Sequence, residues 1–268
     1  MDSKALADEL LDAYASKRVI DPPSSRFPEF DLDAAYAVEA GIARARQASG
    51  HKAVGWKAGN VNRAAWPTLG LETLTWAHMY DNTVSYADWN DGTLSIASML
   101  TPKIEPEIVF KLAQTPASAD PTAVLEATEW IALGFEVVDC VFRDWKFRPV
   151  DALAAGGVHV ALIVGEPVYI EPDNIEQLVK ELGDFSVRLL KNGQLVEEGS
   201  GKNVLESPAL CVGELNDAMK RRTGSPLQAG DVITTGALTN SPLMTAGDTW
   251  IASLSGIPPS ALTLRIKV

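Results

Sequence analysis

Two glutamates stand two residues apart in the run KIEPEIVFKL, residues 103–112. Ile104, Ile108, Val109, Phe110 and Leu112 around them read as a strand heading into a core. Positions i and i+2 of a strand point to one face, so Glu105 and Glu107 lie side by side. Such a pair has three readings. It is the acidic face of an edge strand in water, an acid pair of the glycosidase kind, or two oxygen ligands for a hard divalent cation. An inverting glycosidase pair is spaced more widely than two same-face residues of one strand. A second anomaly favours the metal. The run LGFEVVDCVF (133–142) carries Glu136 among Phe135, Val137 and Val138, with Asp139 close behind. Glutamates are seldom buried unless paired or metal-bound. Two strands with the same misplaced charge raise the metal reading above the edge-strand one.

The elements that must position these groups follow from periodicity. A helix over roughly Ser3 to Lys17 has Leu6, Leu10, Leu11 and Tyr14 at helical spacing, and DPPSSRFPEF breaks it. A second helix runs from Asp31 as N-cap to Gly50 as stop. HKAVGWKAGN (51–60) has strand character. From about residue 81 short strands alternate with turns: 103–112, 130–142 and HVALIVG (159–165). FSVRLLKNGQLVEEGSG (185–201) is a hairpin about Asn192-Gly193. SPALCVGELNDAMKRR (207–222) is a helix capped by Ser207, with Pro208 in its first turn. Two Ala-Gly-Asp turns each lead into a strand, and ALTLRIKV closes the chain as another. No G-x-G-x-x-G opens a helix, and no regular βαβ alternation is present. The expected architecture is α+β, with a helical N-terminal segment (1–80) and a mixed β-rich domain (81–268).

Bulk properties exclude several functions. The chain has 268 residues, a net charge of −12 and a pI near 4.7. A duplex-binding protein needs a basic stripe, so no nucleic-acid partner is expected. No apolar run has the length of a membrane span, and the polar amphipathic N-terminus has no signal-peptide core. Cys140 and Cys211 form no CxxC, which fits a reducing, cytoplasmic setting without a disulfide scaffold or zinc site.

The ordered set EPEI, FEVVDCVFRDWKF, KNGQLVEEGSG, AGDVITTGAL and a second AGD resembles the fumarylacetoacetate hydrolase superfamily. More closely, it resembles the branch of 2-hydroxypentadienoate (2-keto-4-pentenoate) hydratases and 4-oxalocrotonate decarboxylases. The resemblance runs from VGWKAGN to the C-terminus. It implies a rolled, mixed β-sheet fold and a Mg2+ or Mn2+ ion held by Glu105, Glu107 and Glu136, with Glu136 rather than Asp139 matching the family ligand. It places Lys57 of GWKAG in the active site. Thr235 and Gly236 of TTGAL would offer hydroxyl and backbone N–H groups to a substrate carboxylate. The implied substrate is a small 2-oxo or 2-hydroxydienoic acid. The implied reaction is hydration, with 4-oxalocrotonate-type decarboxylation and acylpyruvate C–C hydrolysis as alternatives on the same scaffold. A homo-oligomer is implied, and association with another catabolic enzyme is conceivable.

Two loops depart from the family pattern. DALAAGGVHV stands where an Asp-Asn-x-Ser run is usual, and Thr75, Trp76 and Ala77 stand where an Asp-Phe-Gly-like element is usual. The missing polar groups leave a non-catalytic partner subunit as a further reading. They also make His78 and His159 candidates for general acid–base work, since a histidine titrates near neutrality. The tryptophans Trp56, Trp66, Trp76 and Trp89 are expected mostly in packing, with a pocket wall as the alternative.

Overall fold

The structure, a computed structural model, describes residues 1–258 and 261–268. Among the described residues thirteen strands follow in chain order: β1 Ala53–Gly59, β2 Thr75–Tyr80, β3 Val84–Tyr86, β4 Asp91–Ser95, β5 Lys103–Leu112, β6 Thr128–Val138, β7 His159–Val164, β8 Val168–Tyr169, β9 Ser186–Lys191, β10 Gln194–Ser200, β11 Val232–Thr234, β12 Thr249–Ser255 and β13 Ala261–Lys267. One mixed sheet has eight strands in the order β2-β1-β11-β5-β6-β7-β3, with β8 on β6. A second has five, in the order β10-β9-β12-β13-β4. Phe110, Phe135 and Ile163 of the first meet Leu189, Trp250 and Leu264 of the second in one core. The α+β, mixed-sheet expectation matches this architecture.

The local signals act as read. Asp2 and Asp31 cap the helices Ser3–Ala15 and Leu32–Ala48 by accepting N–H groups of their first turns. Asn192 (φ 51°) and Gly193 (φ 79°) turn β9 into β10; both left-handed φ values suit a two-residue hairpin turn. Ser207 does begin the helix Pro208–Thr223, but its side chain makes no capping bond. The two long N-terminal helices bury Leu6, Leu10 and Val38 against Val141, Val150 and Leu153 in a separate core. The first 80 residues hold both this helical layer and two strands of the eight-stranded sheet, β1 and β2.

β5 is an interior strand, bounded by β11 and β6, which removes the edge-strand reading of its glutamates. Pro106 nevertheless breaks no ladder bond. β11 pairs only with Val109–Lys111 of β5, so beyond Thr234 the chain runs alongside β5 as a loop. Its Leu238 N–H donates to Pro106 O at 3.0 Å. The proline nitrogen faces that open flank, where no strand asks for a donor.

Candidate metal centre

The register of β5 against β6 sets Glu105 directly opposite Glu136 and Glu107 opposite Gly134. Cross-strand partners on one face lie close together, so two strands deliver three carboxylates to one spot. One oxygen from each lies within 4.8 Å of the others. Glu107 and Glu136 are fully buried. Gly236 N–H donates to Glu107 Oε2 at 2.7 Å, and Ser241 Oγ donates to Glu105 Oε1 at 2.6 Å. Gly236 has φ +100°, and a Cβ there would meet Val61 Cγ2 at 2.5 Å. Only glycine holds that N–H on Glu107.

Lys57 reaches the cluster from β1. Its Nζ lies 3.2 Å from Glu136 Oε2 and donates to Gly157 O at 3.1 Å. Residues 156–158 form a turn in which Gly156, Gly157 and Val158 all have left-handed φ. For a β-branched valine this is an outlier, and such strain gathers where a site demands an unusual backbone. A Cβ at Gly157 would meet Lys57 Cδ at 2.9 Å. Gly157, in the turn that stands where an Asp-Asn-x-Ser run is usual, therefore makes room for the lysine stem and offers its carbonyl to the ammonium.

Electrostatics separate the four groups. Burial works against the Lys57 ammonium, but Glu136, Glu105 and Glu107 together outweigh it and hold the pKa above the ordinary lysine value. Burial, then the charges of Glu136 and Glu105, push Glu107 well above the usual carboxylate range. Burial also pushes Glu105 up. Glu136 goes down to about 2, because Lys57 and a hydrogen bond from His159 overcome its burial. Ionised together, three carboxylates against one ammonium would leave two negative charges over, the complement of a dication. Glu107 Oε1 is buried with no hydrogen-bond partner among the described residues, at a substantial desolvation cost unless something binds it. An all-oxygen donor set suits Mg2+ or Mn2+. The residues thus fit a divalent ion.

The other candidates fall elsewhere. Thr235 is fully buried and its hydroxyl donates to Ile108 O at 2.9 Å, so it is spent on the backbone rather than offered to a ligand. Gly236 N–H is likewise committed to Glu107. His78 pairs with Trp56 across β1 and β2, on the face opposite Lys57 and Ala77. Its Nδ1 lies 2.7 Å from Glu39 Oε1, and it packs on Trp56 at 4.2 Å between ring centroids. It faces the N-terminal helices, away from the cluster. His159 does touch the cluster, with Nδ1 2.8 Å from Glu136 Oε1. Its Nε2 lies 3.0 Å from Thr83 Oγ1, so both ring nitrogens are engaged. That geometry makes it a positioning residue that orients Glu136 and fixes its own tautomer. Asp139 accepts N–H groups of Leu100, Thr101 and Cys140 and is a backbone clamp. Of the four tryptophans, Trp66 and Trp76 are buried, and Trp89 is 90% exposed.

Two cavities, of about 270 and 310 Å3, open on the cluster and share Lys57, Asn60 and Glu105. The first is walled by Trp76, Trp145, Phe147 and Leu153, with Lys103 as a second cation. Lys103 Nζ sits 4.2 Å from the Trp145 ring centroid, a cation–π distance. Ser241, Asn60, Lys103 and Trp145 carried no signal in the sequence, because each reaches the cavity from a different loop or strand end.

A curled mixed sheet carrying three convergent carboxylates beside a buried lysine defines a class of acidic, oxygen-donor metal sites on a β-rich scaffold. The sequence model of the fumarylacetoacetate (FAA) hydrolase C-terminal family matches residues 74–265, and the chain belongs to that family. Among characterised relatives, it is 29% identical over 250 residues to a 2-hydroxyhexa-2,4-dienoate hydratase of Comamonas testosteroni, covering 92% of each chain. It is 28% identical to a 2-keto-4-pentenoate hydratase of Burkholderia vietnamiensis, covering 94% of each. Among solved structures, the 4-oxalocrotonate decarboxylase of Pseudomonas putida, complexed with magnesium and adipate, superposes with a TM-score of 0.87 at 26% identity. That alignment covers 98% of this chain and 97% of the other.

Proposed function

We propose that this protein is a divalent-metal-dependent lyase of the 2-keto-4-pentenoate hydratase type, acting on a small 2-oxo or 2-hydroxydienoic acid. The observation that carries the reading is the buried Glu105–Glu107–Glu136 cluster with Lys57 held as an ammonium beside it. The hydratase relatives and the magnesium-bound decarboxylase neighbour support it.

Glu105, Glu107 and Glu136 would hold the ion. Once bound, the ion supplies Lewis acidity to a 2-oxo oxygen and its adjacent carboxylate. The protein's own groups do the rest. Lys57 keeps a positive charge and a proton at Nζ, facing an anionic substrate. Gly157 O fixes the direction of that ammonium. Ser241 and Gly236 N–H hold two of the carboxylates in place, so little reorganisation accompanies the reaction. Trp76, Trp145, Phe147 and Leu153 receive the hydrocarbon end and keep bulk water away from it.

Decarboxylation is the second reading, and one observation favours it. The described side chains that wall the 270 Å3 cavity include Thr75, Trp76 and Ala77, and the Gly157 turn, where the family usually has acid–base groups. Loss of CO2 needs an electron sink more than it needs a placed base. The presence of Lys57 and all three carboxylates argues against a non-catalytic subunit. Product masses from a panel of 2-oxo and 2-hydroxydienoic acids with Mg2+ separate the outcomes. Gain of water supports the proposal, loss of CO2 supports the second reading, and two smaller acids would point to a hydrolase. A homo-oligomer in the cytoplasm completes the proposal. It is supported by the exposed aromatic side chains Tyr86, Trp89 and Tyr169 and by two free, buried cysteines. No described helix is long and apolar enough to cross a membrane.

A further inference from the structure

Behind the 155–159 turn lies another cavity, of about 530 Å3, that shares no lining residue with the two metal-side cavities. It is an open pocket lined by the two long N-terminal helices, the β2–β3 turn, residues 98–99 and the start of β7, and its volume is that of an ordinary small-molecule site. Its lining is mixed: Leu11, Ala15, Ile42, Met99 and Val160 are apolar, and Arg46 and Tyr80 are among its polar groups.

Several arginines pair with carboxylates, Arg26 with Glu9 and Arg222 with Asp33 among them, whereas Arg44, Arg143 and Arg148 do not, among the described residues. Arg46 forms no ion pair among the described residues, and its buried Nε has no hydrogen-bond partner there. Its guanidinium stacks at 5.5 Å over the Tyr80 ring. Tyr80 is 6% exposed, and its hydroxyl is also unpartnered among the described residues. The nearby acids are already engaged. Glu39 is taken by His78, Asp81 lies 3.4 Å from His51, and Asp139 accepts three backbone N–H groups. Arg46 thus carries its charge over the Tyr80 ring rather than against a carboxylate. A guanidinium offers a planar fork that matches a carboxylate.

We propose that this cavity is a second binding site for a small carboxylic acid with a short hydrocarbon chain. The carboxylate would sit at Arg46 and Tyr80, and the chain among Leu11, Ile42 and Met99. The site shares a wall with the metal centre. His159 lines it, and the same ring bonds Glu136 on one side and Thr83 on the other. Its occupant would lie one side chain away from the carboxylate cluster.

Calorimetric titration of hexanoate into the full-length protein, held in Mg2+ and saturating oxalate, tests the site without turnover, so its outcome is independent of the proposed lyase activity. One hexanoate should bind per chain. Arg46→Met, which keeps the stem, should weaken it about tenfold or more. Tyr80→Phe should weaken it less, and Lys57→Met should leave it unchanged. Hexanol should bind far more weakly than hexanoate. Thermal midpoints of the variants identify any that fail to fold; Tyr80→Phe removes a single oxygen and keeps the test open if Arg46→Met is lost. No binding to the wild type, equal affinity in Arg46→Met and Tyr80→Phe, or a loss on Lys57→Met would each overturn the proposal.

Discussion

The two sides of the 155–159 turn use the same residue types to opposite ends. On one side, Glu105, Glu107 and Glu136 converge beside the single ammonium of Lys57, and Glu107 Oε1 has neither a hydrogen-bond partner nor an ion pair among the described residues. On the other, Glu39 holds His78 through Oε1, and Asp139 accepts three backbone N–H groups. The lesson is that a buried acid signals function when its partners are missing, and architecture when they are present. The same holds for the histidines. His78 is locked to Glu39 on the far face of β2, and His159 is locked between Glu136 and Thr83. Neither is left with a nitrogen facing the 270 Å3 cavity, although sequence made both look like acid–base candidates.

This contrast can be broken experimentally, and the largest effect should come from the cluster itself. Glu107→Ala should lower Mg2+-dependent turnover on the order of a thousandfold and abolish the rise in thermal midpoint caused by Mg2+. A Mg2+ shift preserved in the variant would show that the cluster is not the metal site. Lys57→Met should cost about a hundredfold in kcat/KM, because the ammonium 3.2 Å from Glu136 is gone. Steady-state kinetics at saturating Mg2+ would check it.

His159→Phe should weaken Mg2+ binding about ten- to a hundredfold, as loss of a group that orients a ligand does. The kcat at saturating Mg2+ should fall far less, and His159→Gln should restore part of the affinity. A collapse of kcat with Mg2+ affinity intact would instead make His159 a catalyst.

A pH effect follows from the raised carboxyls. Glu107 has a folded pKa above its unfolded one, so its contribution to stability is present below about pH 4.5 and is lost as pH rises through the folded value. Glu136 is depressed, so its contribution is lost only below the ordinary carboxylate range, and that of Lys57 changes only at strongly alkaline pH. Above the ordinary carboxylate range the Glu107 effect dominates. Metal-free protein should therefore lose thermal stability above that range, while Mg2+ should stabilise more as the pH rises. Melting curves in chelator and in Mg2+ would show a gap that widens with pH; a constant gap would contradict the assignment.

The smallest effect should come from His78→Phe. It should leave kcat/KM within about twofold and cost about 1 kcal/mol of stability, since Glu39 loses a buried partner. Chemical denaturation beside activity would separate the two.

Much of the site was legible because strand periodicity is local. Glu105 and Glu107 had to share a face of β5, and Glu136 repeated their anomaly in a second apolar run. The hairpin at Asn192-Gly193 and the cap at Asp31 were legible for the same reason, since a turn or cap depends on a few neighbouring residues. Thr235 and Gly236 lie beside the cluster, with the hydroxyl bonded to Ile108 O and the N–H to Glu107. A hydroxyl or an N–H does not reveal in sequence whether the backbone or a carboxylate has already claimed it. The Gly156-Gly157 turn looked like a loss of chemistry, yet Gly157 is what lets the Lys57 stem pass.

The sequence by itself determined which residues lie on one strand face, where chains turn, and that three glutamates stood in apolar surroundings. Tertiary structure alone decided that β5 is interior, that Glu105 stands opposite Glu136, and that Lys57 arrives from a distant strand. It also decided that His78 faces away and that Arg46 is left without a counter-charge. Register and strand order are set by packing across the whole sheet, and whether a polar group is free depends on partners far along the chain. Periodicity within a segment carries no record of either.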